Sequence, residues 1–104
     1  MNLSRKMKLI INDLKPYNPE RIILFGSAGR GEADEYSDID LVVIKETKKR
    51  FIKRLAEVVT YIRPSLCPVD IFVYTKGEFE EMKKNLNPFI EQVLKNGKVI
   101  YEKS

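Results

Sequence analysis

The 104-residue chain has no histidine and no tryptophan, and a single cysteine, Cys67. Without histidine the usual Cys/His zinc sites are excluded, so any metal must be held by oxygen. A lone cysteine cannot close an internal disulfide. In "SLCPVD", Cys67 has neither a cationic cluster nor a histidine beside it to lower its pKa, and it reads as a small loop or core residue. No apolar run approaches transmembrane length. The opening "MNLSRKMKLIINDLKPY" is charged throughout and lacks the apolar core and cleavage site of a secretory signal. These absences point to a cytoplasmic protein that does not enter a membrane.

Glycine and proline are also scarce, five of each, while 43% of residues are hydrophobic and 33% charged. That is the balance of an ordered globular chain, and its length suits one domain over 1–104 with one modest core. The formal net charge is +4. It suits an acidic or phosphate-bearing partner, but the lysines are scattered among glutamates, as on a solvated mixed-charge surface. The tyrosines and phenylalanines sit mostly at core-like positions, which leaves no stacking platform for RNA and argues against a nucleic-acid partner.

Leu3, Met7, Ile10, Ile11 and Leu14 recur at helical spacing until Pro16 and Pro19, predicting an amphipathic first helix. Ile22 to Phe25, bounded by Pro19 and Gly26, is a short apolar run that reads as a strand buried on both faces, and "DIDLVVIK" is a second. Between Thr47 and Arg63, positions Phe51, Ile52, Leu55, Ala56, Val59 and Ile62 predict a second helix closed by Pro64, with "KETKKR" as its solvated start. Val69 to Thr75 is a β-branched and aromatic strand. One or two helices follow, carrying Phe79 and Met82, then Phe89, Ile90, Val93 and Leu94. A turn at Asn96-Gly97 leads to a short "KVIY" strand. The interleaving predicts an α/β (α+β) fold, a small mixed central sheet flanked by helices.

Carboxylates interrupt this apolar pattern. Asp38 and Asp40 are one residue apart at the start of a strand, so their side chains project to the same face. Asp70 holds the second position of a later strand. Placed beside the first pair it would complete a set of three carboxylates, a donor set suited to magnesium or manganese that can support in-line attack on phosphate. Gly26 and Ser27 end the first strand, where a missing side chain lets a ligand approach the backbone and a hydroxyl and amide can meet phosphate oxygens. Arg30 is a further candidate cation; it could equally pair with Glu32 or Asp34 on the surface. Taken singly, a Gly-Ser turn is commonly plain, an Asp-x-Asp commonly a cap, and an edge aspartate a guard against aggregation. Tyr36 and Tyr74 flank the set and read as strand-end aromatics.

Taken together, Gly26-Ser27, ten intervening residues, Asp38-x-Asp40 and the later Asp70 resemble the signature of the polymerase-beta-like nucleotidyltransferase superfamily. The match is nearest to the minimal nucleotidyltransferases paired with HEPN-domain toxins, and it runs from the first helix through "FGSAGRGEADEYSDIDLVV" and "PVDIFVYT" to "LKNGKVIYE". The resemblance implies that Asp38 and Asp40 hold two Mg2+ ions, with Asp70 as third ligand and general base. Gly26, Ser27 and Arg30 would bind the triphosphate. It further implies a nucleoside triphosphate donor, ATP, and transfer of AMP to a hydroxyl on a HEPN partner by a chain acting as antitoxin. The acceptor surface would come from that partner or from a second copy in a homo-oligomer. The alternative is an antitoxin that binds nucleotide without catalysis and neutralises its toxin by contact alone.

Overall fold

The computed structural model of the chain describes residues 3–25, 39–66 and 68–103. Helix α1 (Leu3–Leu14) buries Met7, Ile10 and Leu14 along one stripe, as their spacing requires. Lys15–Tyr17 then tightens into a 3-10 turn containing Pro16, and Asn18 stops it in the left-handed region at φ 64°. Four strands follow the apolar runs: β1 (Arg21–Phe25), β2 (Ile39–Ile44), β3 (Val69–Tyr74) and β4 (Lys98–Glu102).

Their order in the sheet is β3-β2-β1-β4. Strand β1 pairs antiparallel with β2 and β4, while β2 and β3 run parallel, so the sheet is mixed as expected. The central strands β1 and β2 are apolar on both faces because both faces are covered. One face packs Ile22, Leu24, Leu41, Val43 and Val73 against α1. The other packs Ile23, Val42 and Ile44 against Phe79, Ile90 and Val93. These last three come from helices α3 (Lys76–Lys84) and α4 (Pro88–Asn96).

A parallel pair needs a crossover connection, and α2 (Phe51–Val58) lies within it. Here the sequence expectation is corrected twice. The helix does not run from Thr47 to Arg63: residues 45–50 precede it, with Arg50 as an extended N-cap, and Val59–Tyr61 continue as a 3-10 turn. The buried face is also different. Ile52 and Val59 are 73% and 45% exposed, whereas Arg54 and Val58 are buried.

The cause is that Arg54 is fully engaged. Its Nε donates to Lys49 O at 2.7 Å, Nη1 donates to Val73 O at 3.2 Å, and the fork grips Glu78 at 2.6 and 3.1 Å. A planar guanidinium with such partners can occupy an inward position that hydrophobic spacing assigns to leucine or isoleucine. Hydrogen bonds from Arg54 hold the Glu78 carboxyl below its ordinary value, against the opposing effect of burial. Glu78 also completes a capping box with Thr75, which starts α3 one residue after β3 ends.

Helix α4 begins at Pro88, with Asn87 Oδ1 accepting from the N–H groups of Phe89 and Ile90. Between α3 and α4, Leu86 takes a left-handed conformation at φ 55° and is 69% exposed. Gly97 caps α4 where backbone and sheet come close: a Cβ there would lie 2.2 Å from Val93 O and 2.9 Å from Ile23 Cγ2.

Candidate active site

Asp40 and Asp70 are each the second residue of a strand, and the parallel register pairs them directly, Asp40 with Asp70. In-register neighbours point to the same side, so both carboxylates lie on the face shared with Val42, Phe72 and Tyr74. Asp40 has a second neighbour across the antiparallel pair, Phe25, the last residue of β1. One row across the sheet therefore reads Asp70, Asp40, Phe25.

Neighbouring strands lie about 4.8 Å apart. Carboxylates carried side by side on neighbouring strands can converge on one cation. Their oxygens are hard donors with one open side, since Asp70 is exposed, and such a set fits Mg2+ or Mn2+ better than soft-ligand metals. Among the described residues no group of three metal-binding side chains is assembled. Asp38, the remaining carboxylate, lies outside the described residues, as do Gly26, Ser27, Arg30, Tyr36 and Cys67.

A feature the sequence did not signal borders the acidic pair. The rings of Phe25 and Phe72 lie 6.3 Å apart, and Phe89 from α4 is 5.3 Å from each, edge-on to both. All three are only partly buried. Phe25 and Phe72 could have been placed here from strand alternation, but Phe89 arrives through the packing of α4, which local spacing does not specify. Tyr74, farther along β3, stacks on Phe51 at 5.4 Å and behaves as a strand-end aromatic.

A cavity of 450 Å³ opens at the opposite end of the strands, beside Arg21 and Ile44. Its lining mixes Glu20, Glu80 and Glu102 with Arg21, Lys76 and Lys103, and among the described residues no group of three metal-binding side chains forms there.

A mixed four-stranded sheet covered by helices matches the nucleotidyltransferase fold. The chain belongs to the polymerase-beta nucleotidyltransferase family, whose model matches residues 8–104. Two Methanocaldococcus jannaschii proteins are similar, both provisionally designated protein adenylyltransferases. MJ1305 is 38% identical over 95 residues, covering 79% of this chain and 58% of its own length. MJ0604 is 30% identical over 106 residues, covering 97% of this chain and 100% of its own.

The fold also matches solved structures. One, from Sulfolobus solfataricus and provisionally assigned as a nucleotidyltransferase, aligns with a TM-score of 0.65 at 24% identity, over 95% of this chain and 82% of that one. Another, a toxin-antitoxin structure with AMP-PNP, aligns with a TM-score of 0.60 at 24% identity, over 93% and 73%. No helix among the described residues is long and apolar enough to cross a membrane.

Proposed function

We propose that this chain, as a single minimal nucleotidyltransferase domain over 1–104, transfers AMP from ATP to a hydroxyl on a partner protein, a HEPN-domain toxin, and thereby acts as its antitoxin in the cytoplasm. The observation that carries this reading is the in-register pairing of Asp40 with Asp70. The adenylyltransferase designation of its relatives and the AMP-PNP in a toxin-antitoxin structure of the same fold support the donor and the setting.

Asp40 and Asp70, with Asp38, would hold two Mg2+ ions, which when bound neutralise phosphate charge and make the acceptor hydroxyl more acidic. Asp70, exposed at the sheet edge, takes the proton of that hydroxyl. The hydroxyl oxygen bonds to the α-phosphorus as the bond to the bridging oxygen breaks, and pyrophosphate leaves. Gly26, Ser27 and Arg30 bind the triphosphate.

The test is incubation of purified protein and host lysate with α-labelled ATP and Mg2+. A labelled protein band that is absent with Asp70→Asn and with chelator supports transfer; background in every lane rejects it. A second reading, neutralisation by contact alone, is favoured by the exposed apolar side chains of Ile52 on α2 and Val59 in the 3-10 turn that follows it. Full neutralisation of the toxin by a folded Asp40→Asn, Asp70→Asn double variant would establish that alternative.

A further inference from the structure

At the far end of β3 from the acidic pair, α2 and α3 enclose a groove of about 360 Å³, lined by Phe51, Tyr74, Glu78, Glu81, Met82 and Asn85. Two of these side chains are stacked rings, Phe51 on Tyr74 at 5.4 Å and 27°. Tyr74 lies four residues beyond Asp70 on the same strand. That is about 13 Å at the rise of a strand, so the groove is separate from the carboxylates.

The residue next to Phe51 has the opposite shape. Ile52 projects from α2 at 73% exposure, the highest of any large hydrophobic side chain among the described residues. Two exposed cations, Arg50 and Lys53, flank it in the chain, and Glu81 on the α3 wall of the groove is an exposed carboxylate. Among the described residues, the side chains of Arg50, Lys53 and Glu81 have no hydrogen-bond or ion-pair partner within the chain, whereas Lys49 is tied to Glu57 and Glu78 to Arg54. One patch thus carries an apolar knob with cations beside it and an apolar groove with a carboxylate beside it.

A surface that holds a shape and charge beside their complements fits a second copy of itself turned about a two-fold axis, because every contact is then made twice. We propose that two copies of this chain pair through this patch, Ile52 of each seated against Phe51, Tyr74 and Met82 of the other, with Arg50 and Lys53 facing the other copy's Glu81. A different protein would have to bring both a cation for Glu81 and a carboxylate for Arg50 and Lys53; this chain carries both, on neighbouring elements. The pairing is independent of nucleotidyl transfer, since it lies at the other end of β3 from Asp70 and leaves the acidic end of each copy open. With one knob and one groove per copy, the contact belongs at the small end of specific interfaces, roughly 600 Å² per partner or less, and the dimer is expected to be weak and concentration-dependent.

The experiment is sedimentation equilibrium of the purified chain from about 1 μM to about 1 mM. Wild type should pass from monomer to dimer across that range. Ile52→Asp and Glu81→Lys each change an exposed side chain, so the fold is kept, and each should raise the midpoint about tenfold or more. Reversing the facing charges as well, with Arg50→Glu and Lys53→Glu added to Glu81→Lys, should restore the wild-type midpoint, a recovery that an unfolded variant does not give.

A wild-type chain that stays monomeric at every concentration would overturn the inference and leave the groove to a different protein. So would a dimer that Ile52→Asp leaves unchanged, or a Glu81→Lys defect that reversal of Arg50 and Lys53 does not relieve. A dimer lost instead in Val99→Asp, at a half-exposed position on the edge strand β4, would also overturn it and move the interface to that edge.

Discussion

Asp40 and Asp70 are direct register partners on adjacent parallel strands, thirty residues apart in the chain and side by side in the sheet. Side by side, they are the proposed seat of a divalent cation. Replacing Asp70 by asparagine should abolish Mg2+-dependent transfer, a loss on the order of a hundredfold or more. Added Mg2+ should raise the melting temperature of wild type and leave the variant unmoved, which thermal denaturation with and without the ion would check.

Arg54 joins α2 to β3 and α3 through three hydrogen bonds and donates a fourth to Lys49 O, just before α2. Arg54→Met keeps much of the volume but orphans Val73 O and releases Glu78 from its partner. A loss of about 2–4 kcal/mol is expected from urea denaturation. Glu78→Gln should cost less, since the Glu78 side chain is 44% exposed and its share of the ion pair is screened.

Acid should weaken the fold through two named carboxyls. Asp13 receives hydrogen bonds from the side chain and backbone N–H of Arg63, and Glu78 from Arg54, and both are held below their ordinary values. A depressed carboxyl binds its proton more readily in the unfolded chain. Its contribution is therefore complete above the unfolded value, about pH 4, and disappears as pH falls through the lower folded value. Denaturation midpoints measured from pH 6 downward should be flat at first and then decline, and the decline should be shallower in Asp13→Asn.

Gly97 is needed for space and not for its backbone freedom, since its φ is −81°. Gly97→Ala forces a Cβ against Val93 O and Ile23. The cost should be about 1–3 kcal/mol, read by chemical denaturation.

Leu86→Gly should act in the opposite direction. Relieving the left-handed leucine outweighs the added chain entropy and should stabilise the fold by about 0.5–1 kcal/mol. Melting measurements on wild type and variant side by side would show the gain.

Much of this was legible in the residues themselves. Apolar runs at Ile22–Phe25 and Leu41–Ile44 announce strands covered on two faces, and the second-position aspartates of β2 and β3 announce the acidic row. What the sequence could not show is what depends on partners far along the chain. Hydrophobic spacing placed Ile52 and Val59 inward because it cannot anticipate that Glu78, twenty-four residues beyond Arg54, makes burial of the guanidinium affordable. Phe89 escaped for a similar reason: its place beside Phe25 and Phe72 follows from how α4 crosses the sheet.

The crossover between β2 and β3 has a consequence for how the protein comes to exist. Hairpin-like contacts within the chain can close early, but a parallel pairing separated by α2 must wait for loop closure over a longer stretch. The two aspartates thus meet only when β3 docks, and the unfolded chain holds no equivalent ion site. A divalent cation that selects the paired carboxylates selects molecules in which β3 has docked, and a nascent or damaged copy lacking β3 would be chemically silent.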